Sequence, residues 1–194
     1  MVNQPVQTTP STRPKAEDVA KYLLVKKGSL TGFQLEKLLY YCQAWSLAVN
    51  KEPLFDDEIR AYQNGPVVPN VSYQHKGRIT VMPSHISGDI NTLTDSNLSL
   101  IDAVLEAYDG LSGDELAELS HSEDPWANHW NGYTGLSSAA IIPNEDIQAY
   151  YSWLLSADET MRAEHHVPVF DHPKNLYVTS DDFEWLINYL GEDE

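Results

Sequence analysis

Cysteine is nearly missing from this 194-residue sequence: Cys42 stands alone, which excludes an internal disulfide and a cysteine-based zinc cluster. Long apolar runs are missing too, and no stretch approaches the ~18 apolar residues that a bilayer span needs. The opening MVNQPVQTTPSTRPK lacks the apolar run of a secretory signal, so residues 1–14 read as a flexible arm and the expected location is cytoplasmic. GxSxG, HExxH and a glycine-rich phosphate loop are all absent. No cofactor, no metal and no enzymatic role are therefore expected. Positive charge is scarce, with twelve Lys and Arg against twenty-nine Asp and Glu for a net of −17. The imbalance is regional: residues 1–78 hold ten basic and seven acidic side chains, residues 79–194 two and twenty-two. Such acidity argues against nucleic acid, whose binding draws on neutralised phosphates. It attracts a basic protein, unless it serves solubility alone.

What is present is helical periodicity with sharp punctuation. A helix is expected from Lys15 to about Lys26, with Ala16, Val19, Ala20, Leu23 and Leu24 on one face and Gly28 as its stop. In LTGFQLEKLLYYCQAWSLAV, Thr31 and Gln34 form a capping box, and Leu30 and Leu35 are placed to staple it. The stripe of Leu35, Leu38, Leu39, Cys42 and Val49 predicts a buried central helix that leaves Glu36, Lys37 and Gln43 more exposed. Cys42 on that stripe reads as a small core residue. Further helices are expected over about 97–108, capped by Ser96 or Asp95, over about 113–120, capped by Ser112 with Glu115, and through IPNEDIQAYYSWLLS, with Ile147, Tyr150 or Tyr151, Leu154 and Leu155 inward. Asp124 and Pro125 open a short helix that sets Trp126 and Trp130 on one face. Strand is expected at 167–170 and 176–178, and a last helix buries Phe183, Leu186, Ile187 and Leu190.

Between the helices, AYQNGPVVPNVSYQHKG is stiff and chemically quiet. EIRAYQ reads as a short strand that Asn64-Gly65-Pro66 ends. Pro66 and Pro69 hold GPVVP extended, and Pro69 opens another short helix. The tract either offers a rigid surface or simply ends the strand and packs inward. Two histidine-bearing stretches invite a metal or acid–base reading: His121, Glu123, Asp124 and His129, then His165, His166, Asp171 and His172. Neither has a recognised ligand spacing, and adjacent histidines on a strand point apart. Exposed histidines around structural turns are the favoured reading of both.

Four ordered motifs resemble the Panacea antitoxin domain family, which includes SocA-like antitoxins and phage-associated GepA-like proteins. They are Leu35-Glu36-Lys37-Leu38-Leu39-Tyr40-Tyr41, Pro53-Leu54-Phe55-Asp56, the segment Ile59 to Pro69, and Leu116 to Trp126. Tyr62 stands where the family has tryptophan, and Ser120 where threonine is common. The resemblance spans about 15–156 and leaves 157–194 as an extension. It implies a mostly helical domain; with the strand and helix readings above, the expected fold is mainly α, a compact multi-helix domain with a short β element near 58–64 and a small α/β C-terminal extension. It implies an antitoxin that neutralises a cognate toxin, encoded nearby, by direct protein–protein binding; the alternative is an adaptor that delivers the toxin to a protease. Neither nucleic acid nor membrane is expected as a partner. The toxin-binding residues expected on or beside these motifs are Lys37, Tyr40, Tyr41, Gln63, Asn64, Val67, Val68 and Tyr73.

Overall fold

The computed structural model describes residues 13–132 and 139–170. Helix α1 (Ala16–Lys27) buries the expected face and stops at Gly28, whose φ of 76° suits glycine. A two-residue strand β1 (Leu30–Thr31) leads into α2 (Gly32–Asn50). Its start follows from the capping box: Gln34 N–H donates to Thr31 Oγ1 (3.2 Å), and Thr31 N–H to Gln34 Oε1 (3.1 Å).

Every side chain from Leu35 to Val49 is buried. This corrects the expectation that Glu36, Lys37 and Gln43 face solvent. An amphipathic stripe presumes one covered face, whereas α2 is enclosed on all sides. Helices α1, α4 (Asp95–Ala107), α5 (Gly113–His121) and α7 (Asn144–Leu155) pack around it. Buried polar groups must then find partners inside the fold. Gln43 shows how: its Oε1 accepts from the backbone N–H of Leu54 (2.8 Å) and Phe55 (3.1 Å), and its amide donates to the Phe55 carbonyl (3.1 Å). One buried amide thereby ties down the Pro53-Leu54-Phe55 turn.

The stiff tract is a hairpin rather than a strand followed by a corner. Strand β2 (Arg60–Tyr62) turns through Gln63-Asn64 into β3 (Gly65–Val67), with Tyr62 opposite Gly65 and Ala61 opposite Pro66. A two-residue loop closes on a hydrogen-bonded pair, so the next position along is a non-hydrogen-bonded one. Pro66 occupies that position, where a missing N–H costs nothing. Consistently, Ala61 N–H points to the other side and donates to the Ala140 carbonyl (2.9 Å).

Pro69 opens α3 (Pro69–Gln74), and β4 (Thr80–Val81) returns to pair with β1. Helix α4 is capped by Thr94 with Asn97, one or two residues earlier than Asp95 or Ser96. Helix α5 starts on the Ser112–Glu115 box. The short α6 (Asp124–Ala127) takes Glu123 rather than Asp124 as its cap, and Trp126 stacks on Trp130 at 5.6 Å. Helix α8 (Glu159–Glu164) follows α7. Residues 167–170 form no strand and pack partly against the core through Val167 and Phe170; the strand at 176–178 and the last helix lie outside the described residues. Among the described residues the fold is mainly helical with two small two-stranded sheets.

Candidate functional site

The amino end of α2, the β2–β3 hairpin, the turn after α3 and the start of α5 enclose a groove of about 660 Å³. That volume lies in the range of ligand and anchor pockets. Phe33, Tyr62, Val67 and Ile79 supply apolar wall, while Glu36, Lys37 and His75 supply polar groups. Gln63 and Asn64 stand exposed on the hairpin rim.

Gly65 makes this arrangement possible. Its φ of 100° is a conformation that L side chains rarely adopt, and a Cβ there would lie 2.5 Å from Lys37 Cε and 2.8 Å from Ser120 Oγ. The absent side chain lets the hairpin close over α2 and α5. Lys37 Nζ then donates to the Pro66 carbonyl at 3.0 Å. Only 1% of Lys37 is exposed, and burial pulls its pKa down to about 8 although neighbouring Glu36 opposes the shift. Glu36 in turn holds His75 Nε2 at 2.7 Å and accepts from Val68 N–H at 3.3 Å. An ammonium and a carboxylate–imidazole pair, all buried, thus sit behind an apolar mouth.

A second polar cluster lies deeper. Glu123 is fully buried and accepts from Tyr151 Oη (2.5 Å) and Tyr41 Oη (3.4 Å), with His165 Nδ1 at 3.4 Å. Burial pushes the Glu123 carboxyl up, and the hydrogen bond to Glu123 pushes His165 up. Tyr41 also stacks on Tyr108 at 4.2 Å, whose hydroxyl accepts from the Trp45 indole (3.0 Å). These groups are core, and they fasten the segment after α8 to it.

The expected binding residues divide accordingly. Lys37 and Val67 line the groove, Gln63 and Asn64 form its rim, and Tyr73 is 69% exposed on the outer face of α3. Tyr40, Tyr41 and Val68 are fully buried and present no surface to a partner. The tyrosine pair lies on the motif, but α2 is enclosed on all sides and covers it. Phe33, Tyr62, His75, Lys76, Arg78 and Ile79 also line the groove and were not singled out. The signal for Ile79 was available: an isolated apolar residue in KGRITV, now 86% exposed.

The first histidine cluster does not converge. His121 stacks on Trp126 at 3.9 Å, His129 Nδ1 lies 2.9 Å from the Pro125 carbonyl and its Nε2 3.3 Å from Asp146, and Glu123 turns inward. Asp171 and His172 of the second cluster lie outside the described residues. Cys42 is buried and its thiol pushed up by desolvation, as a core residue should be.

No helix among the described residues is long and apolar enough to cross a membrane. Residues 35–127 match the family model of the antitoxin SocA-like, Panacea domain. No curated protein and no solved structure gives a significant match.

Proposed function

We propose that this protein neutralises a cognate toxin by binding it directly through the groove between α2, the hairpin and the turn after α3, as the match of residues 35–127 to the SocA-like antitoxin, Panacea domain supports. The role is one of recognition rather than catalysis, and it needs no cofactor. The observation that carries the reading is that most of the groove's lining, from Glu36 to Asp114, falls within the matched segment. Gly65, two prolines and the Lys37–Pro66 bond leave little to order on binding, and a preorganised surface loses less entropy when a partner docks. Its chemistry also suits an anchor: exposed Ile79 and half-exposed Phe33 surround buried donors.

Co-expression with the product of the neighbouring gene tests this. The expected result is growth rescue together with a complex that co-purifies. Ile79→Asp, placed on an 86% exposed side chain, should fold normally and lose both. Rescue without a complex, accompanied by falling toxin levels, would point instead to delivery of the toxin to a protease.

A further inference from the structure

The groove is a basic island on an acidic protein, and that restricts what fills it. Elsewhere cations are mostly spoken for: Arg13, Lys26, Lys27 and Arg60 each pair with a carboxylate, and Lys21 donates to the carbonyls of Pro83 and Ile86. The three cations that line the groove, Lys37, Lys76 and Arg78, have no carboxylate within ion-pair distance among the described residues. Lys37 donates only to a carbonyl, and Lys76 lies over the Tyr73 ring at 5.6 Å. The acids in the groove are placed otherwise. Glu36 is committed to His75 and Val68, and Asp114 sits on the first turn of α5. In a chain of net charge −17, three unpaired cations beside Phe33 and Ile79 form a complementary field for an anion attached to an apolar side chain.

We infer that the groove receives one linear segment of the toxin in which an apolar side chain is flanked by a carboxylate. The apolar side chain enters between Phe33 and Ile79, and the carboxylate lies toward Lys76 and Arg78. This rests on the antitoxin reading above, and it reverses the expectation from bulk charge that the partner surface is basic.

The probe is a set of fluorescently labelled dodecapeptides tiling the neighbouring gene product, titrated by anisotropy at low and high salt. The full-length protein is compared with the double variant Lys76→Glu/Arg78→Glu. Both substituted side chains are exposed, so the melting temperature should hold. A binding tile is expected to carry Asp or Glu within a few residues of a large apolar side chain. The double variant should bind it about tenfold or more weakly at low salt, because a charge pair becomes a repulsion. Replacing the tile's acid by lysine should restore affinity for the double variant. A tile that binds without a carboxylate, or that ignores the charge reversal, overturns the inference. So does the absence of any binding tile, since the occupant would then not be a linear segment. In each of those cases co-purification of wild-type protein with intact toxin leaves the antitoxin reading standing, whereas failure of that co-purification removes both.

Discussion

Replacing Lys37 by Met separates a structural from a functional reason for burying a charge. Burial takes the Lys37 pKa from its ordinary 10.5 to about 8, a difference worth roughly 3 kcal/mol at ~1.36 kcal/mol per unit. Methionine keeps the unbranched stem and removes that burden, but it leaves the Pro66 carbonyl without this donor, which costs about 1–3 kcal/mol. The variant should therefore be as stable as wild type near pH 7, or up to about 2 kcal/mol more stable. The pH dependence is more telling. A lysine whose folded pKa is depressed sheds its proton in the fold while the unfolded chain keeps it, so wild-type stability rises with pH above the folded value. From about pH 8 to about pH 9.5 the gain relative to the variant should reach ~2 kcal/mol. Buried tyrosines with raised pKa values act oppositely at high pH, and taking the difference between the two proteins cancels them. Urea unfolding at a series of pH values reads this directly. A variant destabilised by more than about 2 kcal/mol near pH 7, or two parallel pH curves, would refute the reasoning and make Lys37 a structural residue.

Two further outcomes follow from the same geometry. Gly65→Ala forces a side chain into a positive-φ position and to within 2.5 Å of Lys37 Cε. It should cost at least about 2 kcal/mol, seen as a fall of roughly 4–8 °C in Tm; an unchanged melt would show that the hairpin closes without the glycine. The Glu123–His165 contact should make stability fall with rising pH. Both groups have raised folded pKa values, so each holds its proton more tightly folded than unfolded. The histidine's contribution is complete below its unfolded value near ~6.5 and is lost as pH rises through the raised one. His165→Gln should flatten that part of the slope in urea midpoints between mildly acidic and mildly alkaline buffer, and equal slopes would contradict it.

Helix positions were legible because their ends are written locally. Thr31 with Gln34 and Ser112 with Glu115 appear in the structure as the capping boxes they suggest. What was not legible depends on neighbours distant in sequence. Glu36, Lys37 and Gln43 look like a solvent face until β3 and the Leu54-Phe55 turn, more than ten residues away, arrive to accept and donate their hydrogen bonds. Gly-Pro looked like a strand terminator because the proline's tolerance depends on a pairing register that only the closed hairpin defines. The groove was half visible for the same reason: the motif residues of the hairpin were chosen, but Phe33 and Ile79 meet them only after β1 pairs with β4.

Hydrogen exchange on the complex with the purified neighbouring gene product tests the central claim most directly. Binding through the groove predicts new protection at residues 62–67 and 75–79, with little change over the buried centre of α2. Protection confined to the acidic helices α4 and α7, with the hairpin and the turn after α3 unchanged, would contradict it.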